Sequence, residues 1–197
     1  MNHKLTSQLY AKFKKNTQKI LSALQHFQDN KKREGYLDWM ETRSKFIQKE
    51  KRFRDAVVKE WADRNHEDRK MLTNFSVGDV IHADFGFNVG SEFGGTRYAI
   101  VLHHSPQRSN TIFVTPLRSA KAGRSARPTE IDLGEITCII QRTNTTMNSW
   151  ADLLQSRPVS KVRMIGQNPV GKISTDQLNA LKLKWIKLIV PEIMPDP

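Results

Sequence analysis

Val77-Gly78-Asp79-Val80-Ile81-His82-Ala83-Asp84-Phe85-Gly86, then Gly90-Ser91-Glu92-Phe93-Gly94-Gly95-Thr96-Arg97, then Tyr98-Ala99-Ile100-Val101-Leu102: this stretch decides the fold. Hydrophobic alternation in the first segment predicts a strand, and the apolar run at the end predicts a second. Glycines at the corners of the loop between them allow positive φ, where other residues would be strained. That loop carries Glu92 and Arg97, an acid and a permanent cation placed to meet one ligand.

Downstream the alternating period continues. Strands are expected at 78–85, 97–103, 111–117, 129–133, 136–141 and 159–164, with turns at Gly123, Pro128, Gly134 and the polar stretch 143–149. A last helix is expected from Ser174 to about Ile189. Ser174 caps it and Gln177 completes a capping box, with Leu178, Leu181, Leu183, Trp185, Ile186 and Ile189 on one broad apolar face. Short strands closed by a helix predict an α+β domain, a small, strongly bent antiparallel barrel.

Upstream the period is helical. Leu5, Leu9, Phe13, Ile20, Leu24 and Phe27 form one amphipathic seam over residues 4–31, and Trp39, Met40, Phe46, Ile47, Phe53, Val57 and Trp61 form a second. Asp29-Asn30 and Gly35 read as the stop between them, so residues 31–35 join two antiparallel helices. The expected organisation is a helical hairpin at 1–75 and a barrel domain at 76–197.

The charge is +12, with a pI near 10.0, which favours polyanionic partners. Residues 1–75 carry 18 Lys and Arg against 10 Asp and Glu, and residues 76–197 carry 14 against 10, so much of the positive field lies on the helices. A solvated lysine face explains part of such an excess. No apolar run of 18 residues exists to span a bilayer, and the polar start argues against a secretory signal, so a cytoplasmic protein is expected. Cys138 is the only cysteine, which excludes an internal disulfide and a cysteine-rich zinc site; it reads as a small buried hydrophobe in the strand 136–140. His82, His103 and His104 do not converge with further ligands, and no metal or cofactor is expected.

The order Gly78-Asp79-Val80, Gly90-Ser91-Glu92, Gly94-Gly95-Thr96-Arg97 resembles the MazF/PemK family, ribonuclease toxins of bacterial toxin–antitoxin systems, from near Ser76 to about Val190. The resemblance implies the SH3-like barrel of MazF, PemK and CcdB, followed by a C-terminal helix. It implies a metal-independent endoribonuclease that cuts single-stranded RNA, mRNA included, and so arrests growth. It also implies a homodimer with the substrate groove across its interface, silenced by an acidic antitoxin lying in that groove. DNA contact is expected only in the complex with the antitoxin.

Within that frame Arg97 is the catalytic arginine of the Gly-Gly-Thr-Arg motif. Its planar fork suits neutralisation of a crowded phosphorane, and the competing reading is a structural ion pair with Glu92. The family strand ending Val-Pro-Leu-Thr-Ser corresponds to Thr115-Pro116-Leu117-Arg118-Ser119, the end of the run Thr111–Ser119. Arg118 stands where the family threonine contacts the phosphate. Either Ser119 or Thr115 then supplies the hydroxyl, or Arg118 is a second phosphate clamp; an exposed strand-end cation is an equal alternative for Arg118. Ser91 and Thr96 join the expected substrate contacts. Gln155-Ser156-Arg157-Pro158-Val159-Ser160-Lys161-Val162-Arg163 resembles the family strand Gln-Ile-Arg-Thr-Ile-Asp-Lys-x-Arg, which brings Gln155 and Arg157 to the substrate. The family carboxylate before that glutamine is here Leu154, and the nearest acid is Asp152. Glu92 is the leading substitute base, acting through a hydrogen bond to the sugar hydroxyl. Two other readings use the same barrel: a gyrase-directed toxin and a non-catalytic nucleic-acid-binding module.

Overall fold

The computed structural model describes residues 3–25, 30–62, 73–88, 90–166 and 168–190. The chain divides into two compact units, Met1–Ser44 and Lys45–Pro197, and the division falls inside a helix.

The first unit holds α1 (His3–Gln25) and the start of α2 (Asn30–Ala62). The second helix begins at Asn30 and runs through Gly35, where the sequence suggested a break. A helical glycine costs about 1 kcal/mol relative to alanine, and the helix-forming neighbours Lys31, Lys32, Arg33, Glu34 and Leu37 outweigh one such residue. On α2 the rings of Tyr36 and Trp39 lie 5.8 Å apart and the Arg43 guanidinium sits 5.1 Å from the Trp39 ring, the spacing of one helix face. The side chains of Leu5, Leu9, Phe13, Phe53, Val57 and Trp61, and all of Phe27, lie outside the described residues.

The second unit is an antiparallel sheet of seven strands: β1 (Asp79–Asp84), β2 (Thr96–Val101), β3 (Thr111–Ser119), β4 (Glu130–Glu135), β5 (Asn148–Asp152), β6 (Arg157–Ser160) and β7 (Gly171–Lys172). Their order is β4-β5-β3-β2-β1-β7, with β6 also paired to β3. The nine-residue β3 is the spine. Its first half, Thr111 to Val114, pairs with β6, and its end, Leu117 to Ser119, pairs with β5, which curls the sheet about this strand. Pro116 falls between those two pairings, so no strand on that side needs its missing N–H.

The curl gives two cores. Ile81, Ala83, Ala99, Val101, Ile112 and Val114 fill one, with Phe75, Phe85, Val159 and Met164. Val80, Ile100, Leu117, Leu133, Ile136, Ile139, Ala151, Leu153, Ile173 and Leu181 fill the other. Successive residues of a strand face opposite sides, so β1 and β2 feed both. That is why Ala99, Ile100 and Val101 are all fully buried and read as a continuous apolar run.

Three expectations change. The segment 136–141 is not a strand: α3 (Thr137–Thr143) replaces it, because Gly134 turns the chain at φ 63° and Ile136 and Ile139 then reach one core at helical spacing. It ends at Asn144, left-handed at φ 52°, whose N–H donates to the Ile140 carbonyl. Cys138 therefore sits half-buried on α3, packed so closely on Gly171 that any Cβ there would lie 2.4 Å from its own. The polar stretch 143–149 contains the start of β5, whose Ser149, Trp150, Ala151 and Asp152 are buried. The strand expected at 159–164 ends at Ser160 and passes into a 3-10 turn, Lys161–Arg163.

The last helix, α4 (Thr175–Ile189), forms as read. Ser174 Oγ accepts from the Gln177 N–H at 3.2 Å and Gln177 Oε1 accepts from the Ser174 N–H at 2.9 Å. Gln177 Nε2 also donates to the carbonyls of Leu133 and Glu135, pinning the helix start to β4. Only half of its apolar face is covered: Leu181 is fully buried, whereas Leu183, Ile186 and Ile189 stay 45, 39 and 51 % exposed.

Candidate functional site

The loop between β1 and β2 is closed at its base by backbone. The Gly95 N–H donates to the Gly86 carbonyl at 2.7 Å and the Phe85 N–H to the Gly95 carbonyl at 2.9 Å. Gly86 and Gly95 take φ of 82° and 70°, and a Cβ on Gly94 would lie 2.7 Å from the Gly86 oxygen. The tight closure therefore demands glycine at Gly94 and favours it at both neighbours of the turn.

This turn delivers Arg97 into a cleft of about 200 Å³, which Thr96, Arg118, Ser119 and Ser149 also line, with Tyr98, Ile139, Thr143 and Met147 as its less polar walls. Arg97 Nε donates to the Gly94 carbonyl at 2.8 Å, and its guanidinium carbon lies 4.7 Å from the Phe93 ring centroid. Burial pulls the Arg97 guanidinium below its ordinary value, yet an arginine stays charged in a protein. Among the described residues no ion pair joins it to Glu92.

The other expected residues separate. Thr96 and Ser119 are exposed on the cleft. Thr115 is fully buried and its hydroxyl donates to the Asp152 carbonyl at 3.0 Å, so it is a structural hydroxyl rather than a substrate contact. Arg118 lines the cleft, but its Nη2 donates to Glu130 at 2.7 Å and its guanidinium lies 4.7 Å from the Trp150 ring. It is neither an exposed strand-end cation nor a freely presented clamp. Ser91 and Glu92 are exposed on the loop and do not line the cleft.

Gln155, just before β6, and Arg157, its first residue, reach the same loop. Gln155 Oε1 accepts from the Phe93 N–H at 3.0 Å, and Arg157 Nη2 donates to the Phe93 carbonyl at 2.7 Å. The Arg157 guanidinium also sits 5.1 Å from the Phe85 ring. Burial lowers its pKa and the Glu92 charge partly restores it, so Glu92 acts electrostatically toward Arg157.

Glu130 is a feature the sequence did not single out. It lies opposite Asp152 across β4 and β5, and both carboxyls are buried. Burial raises Glu130, but hydrogen bonds from Arg118 and from the Arg127 N–H outweigh it and hold the carboxyl below its usual range. Asp152 goes the other way: burial first, then the Glu130 charge, raise it. Asp152 is 4 % exposed and does not line the cleft. His82 stacks on Tyr98 at 4.5 Å, as a packed histidine. Among the described residues no cluster of three or more His, Cys, Asp or Glu is placed to hold a metal, and no helix is long and apolar enough to cross a membrane.

Comparison with known proteins gives this arrangement a context. Residues 76–189 match the family described as "PemK-like, MazF-like toxin of type II toxin-antitoxin system". Among solved structures, MazF of Deinococcus radiodurans is 20 % identical, with 59 % of this chain aligned to 97 % of that one at a TM-score of 0.44. A mycobacterial endoribonuclease in complex with its cognate antitoxin is 13 % identical, over 61 % of this chain and 97 % of that one, at 0.39. The MazE–MazF complex of Deinococcus radiodurans gives 19 %, 58 %, 95 % and 0.40 for the same quantities. Among the curated proteins none is significantly similar.

Proposed function

We propose, from the premise that this chain belongs to the PemK-like, MazF-like toxin family of type II toxin–antitoxin systems, that it cuts single-stranded RNA without a metal ion and so arrests growth. One observation carries the reading: the Gly94-Gly95-Thr96-Arg97 turn delivers Arg97 into a cleft that Ser119 also lines.

The scissile phosphate sits against the Arg97 guanidinium, which neutralises the phosphorane as the RNA 2′-oxygen attacks phosphorus and the 5′-oxygen leaves. Preorganised donors of this kind contribute about 3–4 kcal/mol each. Ser119 supplies the hydroxyl to the same phosphate. Glu92 accepts the 2′-proton: it is the exposed carboxylate of the loop and stands outside the cleft lining, so the sugar that carries the 2′-oxygen lies over the loop, whereas Asp152 is buried and also outside that lining. Water protonates the departing 5′-oxygen and the hydroxide left takes the proton from Glu92, giving a 2′,3′-cyclic phosphate, a 5′-hydroxyl and the carboxylate restored.

The +12 charge suits both RNA and an acidic antitoxin. The protein acts in the cytoplasm as a homodimer, and meets DNA only together with that antitoxin. The test is an RNA digest in EDTA. Wild type is expected to cleave and Arg97→Ala, still folded by circular dichroism, to be inert; an Arg97→Ala protein that cleaves at the wild-type rate refutes the assignment.

A further inference from the structure

The catalytic cation in this reading does not hold itself in place. One edge of Arg97, Nε, is fixed on the Gly94 carbonyl, and its guanidinium carbon sits over the Phe93 ring, 4.7 Å from the centroid. Phe93 is itself gripped through its backbone. Its N–H goes to Gln155 Oε1 at 3.0 Å, and its carbonyl accepts from Arg157 Nη2 at 2.7 Å and from Asn88 Nδ2. Gln155 and Arg157 come from the chain around β6, more than 60 residues away.

We propose that Phe93 is a positioning residue, a ring platform that sets the plane of the Arg97 guanidinium, with Gln155 and Arg157 acting on cleavage through Phe93 rather than by touching RNA. This deepens the ribonuclease reading and rests on it. The physical reason is preorganisation. A planar fork offers two parallel bonds to phosphate oxygens only in one plane, and an arginine held there loses less on reaching the transition state. A ring face attracts a guanidinium and orients it flat, while the Nε contact removes the remaining rotation. Among the described residues no other hydrogen bond occupies the Nη edge, so that edge stays available to a phosphate. The depressed pKa of Arg97 through burial fits a cation partly shielded from water.

A residue that binds substrate and one that aims a catalytic group separate in kinetics. Phe93→Leu keeps a hydrophobic side chain but removes the flat face. It is expected to lower kcat at least tenfold with KM within about twofold, and Phe93→Tyr is expected to restore kcat. Gln155→Ala should give a smaller loss of kcat, again at unchanged KM. The contact is read independently by the Arg97 Nε–H resonance, shifted by the ring current in wild type and in Phe93→Tyr, and unshifted in Phe93→Leu. A rise in KM alone would make Phe93 an RNA contact and overturn the proposal. So would a wild-type kcat in Phe93→Leu, or an Arg97 resonance that does not move. If wild type itself does not cleave RNA, the ribonuclease reading fails, and the resonance alone then decides whether Phe93 orients Arg97.

Discussion

At the scale of single residues, the site is a set of cations and acids with different degrees of freedom. Arg97→Lys keeps the charge but not the bidentate fork, so it should cleave much more slowly than wild type; a near-normal rate would mean that charge alone suffices. Glu92→Gln should slow cleavage by about a hundredfold at constant substrate affinity, and an unchanged single-turnover rate would remove Glu92 as the base. Asp152 is expected to matter for stability instead. Its folded pKa is raised by burial and by Glu130, so above its ordinary value the native state still holds a proton that the unfolded chain has lost. Stability therefore falls as pH rises through that window, and the full penalty remains at neutral pH. Asn at this position still accepts from the Leu154 N–H but has no charge to bury. Asp152→Asn should gain on wild type in urea unfolding between pH 4 and 7; a loss at pH 7 would mean the ionised form is the stabilised one. That Arg97 and Ser119 would share one cleft was legible because both hold their places in the motifs quoted above. Glu130 and Phe93 were not, since nothing in their neighbourhood shows that one will meet Arg118 and the other Arg97.

At the scale of elements, periodicity found β1, β2, β3, β4 and α4, because each carries enough apolar residues to declare a face. It failed at 136–141, where Ile136, Ile139 and Ile140 fit either period and only the Gly134 turn decides. It missed β5 because its buried polar residues find partners only in the folded sheet: Asp152 caps the following turn, and the Trp150 ring packs under Arg118. The 3-10 turn after β6 has its own anchor. Lys161 Nζ donates to the carbonyls of Thr73, Pro106 and Gln107, and burial lowers its pKa to about 8. Between that value and its ordinary 10.5 the unfolded chain binds more protons than the native one, so this lysine's contribution to stability rises with pH across the window. Relative to Lys161→Met, wild type should become more stable from pH 8 to pH 10 in denaturant titrations. A constant or shrinking difference would show that the three carbonyls hold the ammonium firmly enough to cancel its burial.

At the scale of the whole molecule, the question is what the basic helices add to a curled sheet that carries the candidate site. The extra charge concentrates upstream of residue 76, and Lys12, Lys14, Lys15 and Lys19 of α1 are all exposed. A built-in mimic of an acidic antitoxin would carry the opposite sign, so self-inhibition does not fit. A long-range attraction for the RNA backbone does, and it has a thermodynamic signature. Removing one lysine–phosphate pairing flattens the slope of log affinity against log salt by about 0.7 for a single strand. Changing the four lysines to glutamine in the full chain tests this without removing part of α2, whose later residues belong to the sheet's unit. The variant should bind non-cleavable RNA more weakly at low salt, with a shallower slope, while its cleavage positions stay those of wild type, because Arg97 and the loop around Phe93 are untouched. An unchanged slope would leave these lysines as a solvated face. Faster cleavage than wild type would instead make α1 an inhibitory element, the reverse of the role argued from its charge.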